Sequence, residues 1–377
     1  NLLDYNNLDE KLNQLDNSFH TSFKPYIESD MPSVVRKDTL YMLNRKRGIK
    51  QPGFFERKLL YEDLIAIEKE NFYLTINPLF NFSYTHENKN GESLYTNSRG
   101  AIIAGKVVEK LSFQSSFAEI QSFFPTYLDN YVSKKRIVPG QGVVRLFKNS
   151  GFDYTWASGL VSYSPSSYFN FQVGHGKNFI GDGYRSLLLS DNSMNYFFFK
   201  IQTKIWKLKY TNTFSSMMNY YPFAPNDDKF QKKFNVFHYL SMIIGKRIEF
   251  SLFEGIVNSD TTVLSGFDVN FLNPVIFYHS LGLNIGSPAN TIIGTNLKFK
   301  LSDKIHLYNQ LIIDDLDIEH MQEGKGYMAN KFGYQFGLRI FDLFKIKNFN
   351  IRLEYNQVDP YVYAHKKKKK NYSHYNQ

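Results

Sequence analysis

Cysteine is absent from all 377 residues, so neither a disulfide framework nor a thiolate metal site is available to this chain. No run of about 18 apolar residues occurs anywhere, which excludes a helical membrane span. Tryptophan is nearly missing, with two residues in the whole sequence. Acidic residues are the scarcer charge: 35 Asp and Glu stand against 45 Lys and Arg, a formal net charge of +10. Such an excess favours anionic partners, whether nucleic acid, lipopolysaccharide headgroups or acidic polysaccharide. The sequence opens at Asn1 without an initiator Met or an apolar signal core, as a mature product after signal removal, or a chain trimmed there, would.

What is abundant is aromatic. Tyr (27) and Phe (35) raise the aromatic share to 17%, more than a soluble core needs and suited to rings of side chains at two membrane interfaces. The mean hydropathy of −0.39 is polar for a membrane protein, but a barrel places half of its strand residues on a wet interior. From Phe72 to Val358 stretches of roughly ten residues alternate apolar and polar. In 331–341 the even positions Phe332, Tyr334, Phe336, Leu338 and Ile340 are apolar, with Gln335 and Arg339 between them. The same period marks 72–84, 111–122, 152–163, 169–176, 196–205, 207–218, 291–301, 304–313 and 350–358, and less cleanly 94–108, 234–244 and 247–257. That gives about thirteen strands.

Connections take turns. Short ones fall at 109–110, 164–168, 206, 245–246 and 302–303, with a somewhat longer one at 342–349; long ones fall at 85–93, 123–151, 177–195, 219–233, 258–290 and 314–330. This double rhythm predicts an all-β fold, a large antiparallel transmembrane β-barrel of outer-membrane type with about 14–18 strands. With short turns facing the periplasm, the N-terminus is periplasmic and the long loops are extracellular. Residues 359–377 then form an external segment with no strand after it. Since a barrel cannot leave an unpaired edge in lipid, the count predicts a C-terminus truncated within the barrel, or a miscounted strand.

Residues 1–70 differ from the barrel at 71–377. Leu8, Leu12, Leu15, Phe19 and Phe23 recur at helical steps up to Pro25, and 56–70 places Leu60, Leu64 and Ile67 on one side of a second helix. A short helical segment on the periplasmic side is expected to precede the strands.

The loop Gly174–Asp191, GHGKNFIGDGYRSLLLSD, holds four glycines with Lys177, Asp182, Arg185 and Asp191, which implies a compact, tightly turned loop. It lacks the Walker spacing of a phosphate cradle. Two readings stand: a polar ligand surface or lumen constriction, and a structural loop packed by its own Arg–Asp pairs.

This loop, with PGQG at Pro139–Gly142 and WKLKYTN at Trp206–Asn212, resembles the Wzi-type capsule-assembly family, and within it the Bacteroidota branch of gliding motility protein RemB. The similarity extends to HTSFKPY (His20–Tyr26), ERKLLYEDLI (Glu56–Ile65), FLNPVIFYHSLG (Phe271–Gly282), GSPANTIIG (Gly286–Gly294), NKFGYQFGL (Asn330–Leu338) and RLEYNQVDPYVYAH (Arg352–His365). The resemblance implies a large outer-membrane barrel with periplasmic-side helices and a role in surface polysaccharide: capsule attachment, or adhesins and slime in gliding cells. Members of that family continue beyond the point where this sequence stops, and the run Lys366–Lys370 departs from their pattern.

Taking the polar parity as inward gives Lys200, Lys204, Lys207, Lys209, Lys298, Lys300, Arg339 and Arg352 against Asp314, Glu354 and Glu249. A basic interior attracts anionic glycan at long range, or else pairs internally to prop the wall, with Arg352 and Glu354 as members. Candidate ligand-binding residues are therefore Lys177, Asp182, Arg185, Asp191, Lys298, Lys300, Arg339, Arg352 and Glu354. Lys366–Lys370, set among tyrosines, reads as a nucleic-acid or acidic-glycan patch, or as a solvated charge run. Tyr127, Tyr131, Tyr220 and Tyr221 in long loops suit either sugar stacking or the outer aromatic girdle. Catalytic and metal signals are thin: Asp314, Asp315 and His320 share a loop in the manner of the paired acids of outer-membrane proteases, but such a site needs partners from the opposite wall, a geometry that sequence does not supply; no Ser partner is recognisable for His175, His238 or His279, and the histidines lack ligand spacing. The expectation is a non-enzymatic outer-membrane barrel without cofactor that binds or organises surface polysaccharide or adhesins. Its partners would be membrane lipid, lipopolysaccharide, anionic polysaccharide and other outer-membrane, secretion or motility proteins, not nucleic acid. The alternatives are a scaffold subunit of a secretion or motility complex, and a diffusion porin.

Overall fold

The computed structural model describes residues 19–27, 53–55, 58, 62–88, 91–148, 150–218, 232–258, 269–280, 289–314, 331–346, 349–365 and 370–374. In chain order the strands are β1 (Phe23–Lys24), β2 (Ile65–Lys69), β3 (Phe72–Glu87), β4 (Glu92–Val107), β5 (Leu111–Ser122), β6 (Ile137–Val138), β7 (Gly142–Val143), β8 (Arg145–Phe147), β9 (Gly151–Tyr163) and β10 (Phe169–Gly176). They continue with β11 (Phe179–Ile180), β12 (Tyr196–Ile205), β13 (Leu208–Met218), β14 (Lys232–Ile244), β15 (Ile248–Asn258), β16 (Asn290–Ser302), β17 (Ile305–Asp314), β18 (Lys331–Ile340) and β19 (Ile351–Val358). Helix α1 (Thr126–Lys135) lies between β5 and β6.

A single 15-stranded antiparallel sheet runs as a meander from β2 through β3, β4, β5, β9, β10 and β12 to β19, with β8 also paired to β9. Among the described residues β2 and β19 pair on one side only. Every alternating stretch recognised in the sequence is a strand of this sheet, which is an outer-membrane-type β-barrel wall. Period-two alternation is the cause: successive side chains leave a strand on opposite faces. One face carries exposed Phe80, Phe82, Phe197, Leu297, Phe336, Leu353 and Tyr355. The other carries buried Gln172, Lys200, Thr213, Asn296, Gln310 and Gln335.

Four expectations change. Residues 65–69 are a strand, not helix: Ile65 faces Ile76 and Lys69 faces Phe72 across a two-residue Glu70-Asn71 turn. Leu60, Leu64 and Ile67 fit a helical step, but Ile65 and Ile67 fit period two equally, and pairing with β3 satisfies their backbone. Residues 19–27 are likewise not the end of a helix, since β1 pairs with β11, Phe23 opposite Ile180. The rest of the predicted first helix lies outside the described residues. The lumen is not uniformly hydrophilic. Phe198, Met217, Phe237, Tyr239, Phe253, Ile292 and Ile312 make an apolar belt on the inner wall, packed against Ile180, Leu187, Leu188 and Leu189 of the 177–191 loop. Finally, the described part of the segment after β19 turns inward: Tyr363 and Tyr372 donate to the carbonyls of Leu187 and Leu188 at 2.8 and 2.6 Å, and Tyr372 meets the Phe237 ring. Lys366–Lys369, Asp315, His320, Tyr220 and Tyr221 lie outside the described residues.

The outer face holds a further departure. By parity Asn212, His238 and Glu254 point away from the lumen, yet each is buried. Residues 269–280 of the connection between β15 and β16 cover them. The Glu254 carboxylate accepts Phe277 N at 2.6 Å, Ser280 N at 3.0 Å and Ser280 Oγ at 2.5 Å. His238 Nδ1 is 2.6 Å from Asn212 Oδ1, and Tyr210 OH donates to the Pro274 carbonyl. Phe271 packs on outward-facing Phe214, Val236 and Ile256. A carboxylate on a lipid-facing wall is costly, and this cover keeps it from hydrocarbon. Replacing Glu254 by Ala orphans three donors, a cost of about 1–3 kcal/mol per buried group. Limited proteolysis in detergent should then cut 269–280 faster than in the parent, with the strands intact; an unchanged cutting rate would contradict this role.

Candidate functional site

The chemistry concentrates inside the wall, where residues 20–24 and the 177–191 loop meet β14 to β19. Residues 20–24 form a strap along the inner face of the wall. The Glu249 carboxylate on β15 gathers Thr21 N at 3.3 Å, Ser22 N at 3.4 Å, Ser22 Oγ at 2.5 Å and Ser241 Oγ at 3.2 Å. Lys298, its cross-strand partner on β16, places Nζ 2.8 Å from Glu249 and 3.5 Å from Asp182. The same ammonium donates to Thr21 Oγ1, and Thr21 Oγ1 donates to Asp182 at 3.1 Å. All four of these side chains are buried. Burial of charge is tolerated here because each lone pair and proton has a partner.

The loop is fastened along the same wall. Gln310 on β17 donates to Ile180 O at 3.0 Å and to Asn296 Oδ1 at 3.1 Å, and its oxygen accepts Leu187 N at 2.8 Å. Asn296 reaches Asp182 at 3.2 Å. Gln335 donates to Arg185 O at 3.0 Å, and Arg339 to Asp182 O at 3.4 Å. Glu354 on β19 accepts Tyr184 N at 2.8 Å, Arg185 N at 3.1 Å and Tyr308 OH at 2.7 Å. Gly181, which donates to Ser22 O at 2.6 Å, has φ +142°, and a side chain there would run into the Gln310 amide. Only glycine fits that turn.

Of the nine candidate residues, Asp182, Lys298, Arg339, Glu354 and the Arg185 backbone come together in this junction. Lys177 and Asp191 stand apart: Lys177 Nζ donates to Gly140 O and to Asp191 O, tying the PGQG turn to the loop. Burial lowers the Lys177 pKa, opposed by Asp191. Lys300 is buried on β16, while Arg352 faces Arg339 across β18 and β19. The loop is therefore packed by partners from the wall, in place of the Arg–Asp pairs within itself that the sequence suggested. Thr21, Ser22, Ser241, Asn296, Gln310 and Gln335 were not among the candidate residues; Ser241, Asn296, Gln310 and Gln335 are marked in the sequence by polar identity at inward parity, whereas Thr21 and Ser22, ahead of β1, carry no such periodicity.

Chemically the junction is a clamp, with its three carboxylates, Glu249, Asp182 and Glu354, occupied between them by backbone N–H groups, hydroxyls, the Asn296 amide and the Lys298 ammonium. Among the described residues no three His, Asp or Glu side chains are grouped to hold a metal ion. Burial lowers the His20 imidazole from 6.5 to about 4, with Glu249 pulling the other way. His20 Nδ1 is 2.7 Å from Ser241 Oγ. At the other end of the lumen His374 Nδ1 accepts Met218 N at 3.0 Å, and burial again holds its pKa down at about 4.

Neither a family model nor a curated protein matches this chain. Similar solved structures include Pseudomonas aeruginosa OccD3 (OpdP), 10% identical, covering 78% of this chain and 71% of that one, with a TM-score of 0.38. OmpT, an outer membrane protein of Vibrio cholerae, is 11% identical over 81% of this chain and 92% of its own, with a TM-score of 0.33. Acinetobacter baumannii OccAB1 is 8% identical over 76% and 80%, with a TM-score of 0.35.

Two outcomes follow from the clamp. Lys298→Met leaves Glu249 and Asp182 buried without their cation, which costs about 3–5 kcal/mol, and adding Glu249→Leu should recover part of that loss. Thermal unfolding in detergent reads both; equal midpoints for parent and Lys298→Met would contradict the clamp. For the histidines the folded form is neutral, so their contribution is whole above pH 6.5 and is lost as pH falls from 6.5 toward about 4. The unfolding midpoint should drop through that window, less steeply in His20→Gln; an identical slope in that variant would contradict the assignment to His20.

Proposed function

We propose that this chain is a stoppered outer-membrane barrel that holds or organises anionic polysaccharide, or an adhesin, at the cell surface, without catalysis. The observation that carries this is the occupied lumen. Strap, loop and C-terminal segment interlock with the wall through the Glu249–Lys298–Asp182 group, the Gln310 and Gln335 amides, and the apolar belt. A pore for general diffusion needs a wide aqueous path; a filled wall gives a rigid mount instead. The Wzi-type and RemB-like resemblance and the net charge of +10 both favour an acidic glycan, in a capsule-assembly or gliding role.

In this proposal the N-terminus lies on the periplasmic side, the long connections face outward, and lipid and lipopolysaccharide surround the wall. Lys298 belongs to the clamp, so glycan contact falls to the long connections. A deletion strain should shed surface polysaccharide into the medium, and proteoliposomes carrying the chain should admit small sugars no faster than empty ones. Intact polysaccharide retention in the deletion strain would overturn the anchoring role, and rapid sugar entry would overturn the stopper.

A further inference from the structure

Helix α1 stands within the long connection between β5 and β9, and its two faces differ. Val132 is 0% exposed and packs with Val138, Phe152 and Tyr154, with Leu128 and Phe124 alongside. The opposite face shows Tyr127, Asn130, Tyr131 and Lys134, all exposed, at i, i+3, i+4 and i+7. Tyr127 is 76% and Tyr131 38% exposed. On a helix of 3.6 residues per turn these four fall within one narrow stripe. Rings belonging to a lipid-interface girdle stand on strands at the rim; these stand on a loop helix, with an amide between them and an ammonium beyond.

The helix is capped at both ends. Glu87 of β3 accepts Thr126 N at 3.2 Å and Thr126 Oγ1 at 2.8 Å, and a carboxylate at a helix N-terminus is favourably placed. At the other end Arg136, with φ +57°, donates its N–H to Val132 O at 2.7 Å. Lys134 and Lys135 complete the last turn, so the stripe runs toward positive charge. Tyrosines present large amphipathic rings with few torsions to freeze, and a fixed backbone lowers the ordering cost further. Neighbours at i and i+4 are separated by a distance comparable to one pyranose unit.

We propose that Tyr127, Asn130, Tyr131 and Lys134 form a binding strip for an acidic polysaccharide chain, with sugar rings stacked on the tyrosines and a carboxylate drawn to Lys134. This rests on the polysaccharide role above and gives it a site. The test uses the whole chain in detergent micelles and three immobilised probes: alginate as a polyuronate, dextran as a neutral glucan, and polyphosphate as charge without rings. Expected are retention on alginate above dextran, loss of about tenfold or more in affinity for Tyr127→Ala/Tyr131→Ala, and recovery in Tyr127→Phe/Tyr131→Phe. Lys134→Gln should weaken alginate binding and its salt dependence. Alginate binding that survives the double Ala change would overturn the strip while leaving the polysaccharide role standing. Polyphosphate held as tightly as alginate by parent and double variant alike would overturn the stacking and so the strip. Failure of the parent to bind either glycan would overturn the role and the strip together.

Discussion

A carboxylate shut away from water must be surrounded by donors, and Glu249 meets that demand inside the lumen with two backbone N–H groups, two hydroxyls and the Lys298 ammonium. Much else follows from it. The donors on Thr21 and Ser22 belong to a strap distant in sequence, so satisfying Glu249 draws that strap into the barrel. Once there, it gives β1 an edge partner in β11 and lets Lys298 bridge to Asp182 on the loop. Wall, strap and loop are thus joined by one buried charge group, and the apolar belt of Phe198, Phe237, Phe253, Ile292 and Ile312 closes over the loop's leucines. Each fully buried side chain of that size contributes about 1.5–3 kcal/mol.

The wall was legible in the sequence because its code is local. Period-two alternation in 331–341 or 291–301 needs no knowledge of any other strand, and the turn at Trp206 is announced by strands that end on both sides of it. The contents of the barrel were not legible. Inward parity identifies Lys298, Asn296 and Gln310 as facing the lumen but is silent on what meets them there. Phe198, Phe237 and Phe253 stand at inward positions too, and those rings were the unused sign of a packed interior. Helix α1 escaped notice because its apolar side is little more than Leu128 and Val132, too short a stripe to stand out within a long loop. Glu254 and His238, buried on the outer face, depend on a connection folding back, which no local pattern records.

Strap and loop pack against the inner face of the wall and engage its buried charged groups. A cation held at 2.8 Å by Glu249 has little left for a ligand, whereas Lys134 stands in solvent beside two exposed rings. Basic charge in the sequence therefore divides into two populations: lysines and arginines that brace the interior, and those such as Lys134 that stand exposed on the long connections.

Hydrogen exchange read by mass spectrometry on the whole chain in detergent tests most directly whether the strap is seated in the wall. Peptides covering 19–27 and 179–189 should exchange as slowly as those from β14 and β15, because their amides are bonded to Glu249, Leu189, Ser22 and Gln310. Complete exchange of both peptides at the earliest time point, with β14 and β15 still protected, would contradict the account.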